Sequence, residues 1–328
     1  MKAMLLAAGK STRLGALGRS LPKPLVPVCG HPAVAFGLAA CVRAGLSEVV
    51  VNLFHHGDSI RSALGTGAAF GARIHYSPEV DLLGTGGGIA QARPLLGEGP
   101  VLVMNAKVVA DVDLDAVVQA HLASGADATL VLRDDPNAAA WGAIAADATG
   151  RVVGILDQKA PGPASEGVVE RMFTGIQVMG QAVRNRLRPV FSDSVREGYI
   201  PALRDGADIR AFVLPGYFAE HSTPARYLAG NLALLRAPQL LAHPPGPLEG
   251  IDPEARIESG AVVVPPVRVA AGAVIEVGAT IGPDVVVGAG ATVAAGARLV
   301  RTVVWAGLRA TGSVVDAVVT PEGVVAAL

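Results

Sequence analysis

The stretch "AVIEVGATIGPDVVVGAGATV", residues 273–293, places a large branched residue at every sixth position: Ile275, Ile281, Val287 and Val293. Stepping outward by six in both directions gives Ile251, Ile257, Val263 and Val269 before it, and Leu299 and Trp305 after it. The series four residues further on reads Ala255, Ala261, Val267, Ala273, Ala279, Val285, Ala291, Ala297 and Val303, and ends at Arg309. A period of six marks a parallel β-helix, with one hexapeptide per side of a triangular coil. The branched residue fills the interior and the small one fits near the corner. Gly260, Gly272, Gly278, Gly282, Gly288, Gly290 and Gly296 suit the tight turns. Upstream, "APQLLAHPPGPLEG" (237–250), with four prolines and two glycines, reads as a linker. The expected organisation is an α/β domain over 1–236, a linker over 237–250 and a β-helix over 251–328.

The first 236 residues follow another pattern. Short β-branched runs such as "EVVVNL" (48–53) and "PVLVMN" (100–105) alternate with helix-like segments at 33–44, 87–96 and 114–123. This alternation predicts a mainly parallel sheet, which binds ligands beyond the carboxyl ends of its strands. "MLLAAGKST" (4–12) is one such end. It is not an ATPase phosphate loop, because the glycine required five residues before Gly9 is Met4.

The chain of 328 residues is 51% hydrophobic and 17% charged, so a packed core is expected rather than disorder. Its net charge of −1 offers no broad surface for nucleic acid, and no apolar run approaches the roughly 20 residues of a membrane span. Met1-Lys2 leads into an apolar run that Gly9, Lys10 and Arg13 interrupt; this predicts a buried first strand, not a secretory leader. Cys29 and Cys41 are too few for a disulfide framework or a metal cage, which makes a reducing cytoplasm the default.

The wider segment "LLAAGKSTRLGALGRSLPKPLVPVCGHP" (5–32) resembles the signature of sugar-1-phosphate nucleotidyltransferases: Ala-Ala-Gly after a strand, then Thr12-Arg13-Leu14, then Pro22-Lys23-Pro24-Leu25. Further matches follow in order: "LLGTGGGIAQA" (82–92), "VLVMNAKVVADVDL" (101–114), "WGAI" (141–144), "FTGIQVM" (173–179) and "HSTPARYL" (221–228). The hexads resemble those of left-handed β-helices. The resemblance implies a Rossmann-like α/β domain followed by a left-handed parallel β-helix, acting on a nucleoside triphosphate and a sugar 1-phosphate. Arg13 and Lys23 would be the catalytic cations. Ala7, Ala8, Gly9, Lys10, Ser11, Thr12, Gly84, Thr85 and Gly86 would contact the nucleotide, and Gly142, Lys159, Thr174 and Gly175 the sugar phosphate. The Ala-Ala-Gly loop resembles uridylyltransferases more than guanylyltransferases, which puts UTP ahead of GTP. The chemistry agrees, since joining two phosphate anions requires fixed cations and approachable backbone N–H groups.

One motif departs from the pattern. The family places a magnesium-binding aspartate two residues after the asparagine of Asn-Gly-Asp; here the segment is Asn105-Ala106-Lys107. Glu220 falls where a second metal-binding aspartate is usual, and is the expected Mg2+ ligand if the ion is kept. Three readings stand open: Lys107 partly replaces the metal, the metal shifts toward Glu220 with Asp111 or Asp113, or the domain binds nucleotide without turnover as a regulatory subunit. Capping of the helix beginning near Leu114 is the simpler role for Asp111 and Asp113. His55 and His56 read as loop polarity, His121 and His221 as structural, with contact at the sugar end the alternative for His221, and Tyr227, Leu228, Leu232 and Leu235 as core. The β-helix carries no histidine base over 251–328, so its expected role is association with itself or a partner subunit, or regulation.

Overall fold

The structure, a computed structural model, describes residues 1–327, with the side chain of Trp141 excepted. The chain forms two compact units whose segments alternate along the sequence. One comprises Met1–Gly9, Gly37–Ala106 and Val112–Gly216; the other comprises Lys10–Phe36, Lys107–Asp111 and Tyr217–Leu328.

The first unit is built on a twisted sheet. Strands β1 (Lys2–Leu6), β2 (Glu48–Leu53), β3 (Arg73–Pro78) and β4 (Val101–Asn105) form its parallel half. β1 lies between β2 and β4, with Met4 opposite Val50 on one side and Val103 on the other. Covered on both faces, these strands read as unbroken apolar runs, and Ala3, Met4 and Leu5 are fully buried. Beyond β4 the sheet changes direction. It continues through β5 (Ala128–Arg133), β6 (Ala143–Ala146), β7 (Val152–Ile155), β8 (Gln158–Lys159), β9 (Val169–Met179) and β10 (Ile209–Val213). β9 pairs antiparallel with β4, β5 and β6, so the sheet is mixed. A core cluster containing Met4, Val50, Val103, Leu130, Ile144 and Tyr199 packs on it.

In the second unit, the hexads form the coils of a β-helix. Each short strand pairs in parallel with the strand three hexads later: Ile251 with Val269, Ile257 with Ile275, Val263 with Ile281. The interior positions Val269, Ile275, Ile281, Val287, Val293 and Leu299 are all 0% exposed. The strict period first fails after Leu299, and it fails again before Val314, which pairs with Leu299. Val304, not Trp305, pairs with Val287, so the side after Leu299 is one residue short. Trp305 instead turns to a second cluster shared with Leu14, Leu17, Val26, Val28, Tyr227, Leu234 and Val318. The interior place after it falls to Ala310, opposite Val293, rather than to Thr311, six residues after Trp305.

The helix Pro224–Arg236 carries that second cluster. Thr223 caps it, with its hydroxyl accepting from Arg226 N–H at 3.2 Å, and proline stands at the first helical position. Tyr227, Leu228, Leu232 and Leu235 are buried, as their helical spacing predicts. At the helix end, Arg236 forks onto both carboxylate oxygens of Asp284 at 2.8 and 2.6 Å. Within residues 237–250, Leu241 and Leu248 are buried in the same cluster.

Candidate functional site

In the sheet unit, the end of β1 and the start of the helix Gly84–Gln91 are tied by a buried polar chain. Ala7 N–H donates to Asn52 Oδ1 at 2.7 Å, and Asn52 Nδ2 donates to Glu79 Oε1 at 2.7 Å. The other oxygen of Glu79 accepts from Leu83 N–H at 2.9 Å. Burial raises the Glu79 pKa, with these two donors pulling the other way. Ala7 and Ala8 are buried, whereas Gly9 is exposed and a Cβ added there would meet nothing within 4 Å. Sequence reading passed over Asn52 and Glu79, which look like ordinary residues at strand ends. The parallel pairing of β1 with β2 and of β2 with β3 brings them together.

The Gly84–Gln91 helix meets neighbouring backbone at van der Waals limits. A Cβ at Gly84 would lie 2.5 Å from Ser192 O, at Gly86 2.6 Å from Ser192 Oγ, and at Gly87 2.1 Å from Val190 O. Thr85 Oγ1 accepts from Ser194 N–H at 2.9 Å and donates to Asp193 at 3.4 Å. These glycines therefore have a packing reason to be glycine, independent of any ligand.

The residues expected at the sugar phosphate fall in two groups. Thr174 is buried and its hydroxyl donates to Val131 O at 2.7 Å, which makes it part of the sheet. Gly175 has φ +77°, and a Cβ there would sit 2.1 Å from Asn105 Nδ2, so the Asn105 amide rests on the bare glycine. Lys159 is exposed and lines a cavity of about 470 Å³ with Arg151, Leu156, Gln158 and Glu170. Leu156 also reaches to 2.8 Å from where a Cβ on Gly142 would stand.

The second unit gathers the charges. Ser11 holds φ at +56°, a left-handed conformation that glycine would adopt without strain. Its hydroxyl accepts from Lys23 N–H at 3.0 Å, which ties the turn at Lys10–Leu14 to the Pro-Lys-Pro segment. Lys10, Thr12 and Arg13 are exposed on that turn and Lys23 is half-buried. Glu220 ends the strand Phe218–Glu220, which pairs antiparallel with Val108–Ala110 and sets Glu220 opposite Val108. Lys107, the residue just before, thereby reaches Glu220, with Nζ 2.5 Å from Oε1. Arg13 Nη2 stands 3.7 Å from the same oxygen. Burial, then the Lys107 and Arg13 charges, press the Lys23 pKa down to about 8. Burial pushes the Glu220 pKa up, but the Lys107 ammonium and then Arg13 and Lys23 outweigh it and hold it low. His221 is wholly buried, and burial lowers its pKa to about 4 against the opposing pull of the Lys107 backbone and the Glu220 charge, so it is neutral at pH 7.

The nucleotidyl transferase family profile matches residues 2–167. The chain belongs to that family. Its nucleotidyl transferase relatives include mannose-1-phosphate guanylyltransferase of Mycobacterium tuberculosis, 30% identical over 83% of this chain and 74% of that protein. N-acetylmuramate alpha-1-phosphate uridylyltransferase of Neisseria meningitidis is 48% identical over 120 residues, 36% of this chain and 52% of that protein. A putative glucose-1-phosphate thymidylyltransferase from Bacillus anthracis shares the fold, with a TM-score of 0.60 at 19% identity over 72% of this chain and 96% of that one. Nucleotidyl transferases are enzymes, and members generally use a divalent metal ion.

In this nucleotidyl transferase the expected metal donors do not fit such an ion. Glu220 is engaged by the Lys107 ammonium and flanked by Arg13. Asp111 Oδ1 accepts from Ala242 N–H at 3.0 Å, and Asp113 caps the helix Leu114–Ser124 through Ala116 N–H at 3.0 Å. Among the described residues, no group of three or more His, Cys, Asp and Glu is placed to hold a metal. Magnesium requires several hard oxygens, and an ammonium in a ligand's place repels it.

Proposed function

We propose that this chain transfers a nucleotidyl group from a nucleoside triphosphate to a sugar 1-phosphate and releases pyrophosphate, with UTP preferred over GTP. The observation that carries the reading is the cluster of Arg13, Lys23 and Lys107 about the single carboxylate of Glu220. A phosphate oxygen of the sugar 1-phosphate attacks the α-phosphorus, and the bond to the bridging oxygen of the leaving pyrophosphate breaks. Negative charge gathers on the phosphoryl oxygens as this happens, and fixed cations stabilise it without reorganising. Arg13 offers a planar fork to phosphate oxygens and Lys23 a point charge on a backbone stiffened by Pro22 and Pro24. Ala7, Ala8, Gly9, Lys10, Ser11, Thr12, Gly84, Thr85 and Gly86 are assigned to the nucleotide, and Gly142, Lys159, Thr174 and Gly175 to the sugar phosphate. The order of bases is supported by the Ala-Ala-Gly turn and by the 48% identity over 120 residues to a uridylyltransferase. The β-helix is assigned to self-association or a partner subunit, in the cytoplasm. Lys107 favours a second reading, a nucleotide-binding regulatory subunit without turnover.

The test is pyrophosphate release across the four common triphosphates, each paired with a panel of hexose, heptose and muramic acid 1-phosphates. UTP with one of these sugars is expected to release pyrophosphate, and Arg13→Ala or Lys23→Ala to slow it by about 10²-fold or more, the loss typical of removing one charge-stabilising group. Nucleotide binding with no release from any pair would replace the enzyme reading with the regulatory one.

A further inference from the structure

We propose that the Lys107 ammonium, clamped on Glu220, takes the place of a divalent ion held by the protein, so that this chain screens phosphate charge with fixed side chains. The inference rests on the nucleotidyl-transfer reading and says which charges perform it.

The charge balance supports the exchange. An aspartate at position 107 holding a divalent ion would contribute one negative and two positive charges, a net single positive charge. A lysine at the same position contributes that same charge with no ion bound. Around it the cluster has three cations and one carboxylate, an excess of positive charge suited to a triphosphate. The placement is built into the fold rather than left to a mobile side chain. Ribbon pairing sets Glu220 opposite Val108, which delivers Lys107 Nζ to 2.5 Å from Oε1. Both side chains are only 22% exposed, so the pair is shielded from solvent and from salt more than a surface pair would be. A divalent ion approaching Glu220 would have to expel this ammonium and would then face Arg13, 3.7 Å from the same oxygen. Held this way, Lys107 lacks the reach of a free lysine but needs no reorganisation when phosphate arrives, as a bound ion would need none.

The experiment uses the full-length protein with Mn2+ alone, followed by electron paramagnetic resonance, and then calorimetry with UTP in chelator or in excess Mg2+. The wild-type protein is expected to leave the Mn2+ spectrum that of the free ion. Lys107→Asp is expected to bind one Mn2+, and Lys107→Asp with Glu220→Gln to lose it. For UTP, wild-type affinity should change by less than about threefold on chelation, whereas Lys107→Asp should weaken by about tenfold or more in chelator and recover with Mg2+. Lys107→Met, which keeps the length and removes the charge, should weaken UTP binding with and without Mg2+, and guards against misfolding of the aspartate variant. Mn2+ binding by the wild-type protein that Glu220→Gln abolishes would overturn the proposal, as would a Lys107→Met protein that binds UTP as tightly as wild type. Failure of every variant and the wild type to bind any nucleotide would instead sink the nucleotidyl-transfer reading, while the Mn2+ spectra still decide what Lys107 replaces.

Discussion

Lys23 holds its proton less tightly than an ordinary lysine, and this gives the site a pH dependence of known sign. Its pKa is about 8 in the folded protein, lowered by burial and then by Lys107 and Arg13. A triphosphate beside it restores charge balance and raises that value, so binding near pH 8.5 takes up a proton and binding near pH 6.5 takes up none. Affinity is expected to fall as pH rises through about 8, and folding stability to move the other way. The unfolded lysine keeps its proton up to about 10.5, so between the two values the unfolded state binds more protons and stability rises with pH. Calorimetry in two buffers of different ionisation enthalpy measures the uptake. Lys23→Arg, always charged, should abolish it; an uptake unchanged in that variant would assign the proton to another group. At this scale the sequence showed which residue types stand in the motifs but not which of them touch. Lys107 and Glu220 are 113 positions apart, and only the register of two short strands makes them partners. The left-handed turn at Ser11 was invisible because serine rarely adopts it, and its hydrogen bond from Lys23 supplies the compensation.

At the scale of elements, the helix Pro224–Arg236 is held by a polar thread through an apolar cluster. Cys29 N–H donates to Asn231 Oδ1 at 2.8 Å, and Asn231 Nδ2 donates to Tyr227 O at 2.9 Å. The Tyr227 hydroxyl donates to Pro27 O and accepts from Trp305 Nε1 at 3.0 Å. Tyr227→Phe removes one oxygen and strands two partners, the buried Trp305 N–H and the part-buried Pro27 carbonyl, at a cost of about 1–3 kcal/mol for a buried one. Urea unfolding should show a loss of about 2 kcal/mol or more with no change in the slope, and a loss within error of zero would mean that water takes the hydroxyl's place. Trp305→Phe should cost less in that background than in the wild type, because the two changes remove one shared bond. The β-helix was legible because a six-residue repeat needs no long-range information: Ile275, Ile281 and Val287 announce it by spacing. The shortened side at Val304 was not legible, since Trp305 satisfies the hydrophobic pattern equally well. What moves it out of the interior is Tyr227 and the cluster around it, which lie far away in sequence. The sheet's change of direction beyond β4 was hidden for a similar reason, as β9 is apolar whether its neighbour runs parallel or antiparallel.

On the scale of the molecule, the unit that carries Arg13, Lys23, Lys107 and Glu220 also contains the β-helix, and the two share one buried cluster. Leu14 and Leu17, which come just after Arg13, and Val26, three residues after Lys23, pack in it with Val286, Val303, Trp305 and Val318 of the coils. The Arg236–Asp284 fork and the Arg19–Glu322 pair join the same parts, the first on a carboxylate only 8% exposed. A chain ending at residue 250 keeps every recognised nucleotide motif yet loses Val286, Val303, Trp305, Val318 and Ala327 from that cluster. Burial of such side chains is worth about 1.5–3 kcal/mol each, so the loss rivals the whole stability of an ordinary domain, about 5–15 kcal/mol. The truncated protein is therefore expected to melt far below the full chain or to aggregate, and to lose triphosphate affinity with its fold, because the turn bearing Arg13 no longer has a floor. Differential scanning calorimetry and triphosphate titration of residues 1–250 against the full chain make the comparison. A truncated protein that melts within about 2 °C of the full chain, a shift equivalent to about 1 kcal/mol for a protein of this size, and binds equally well would show that the coils are an appendage and not a structural part of the site.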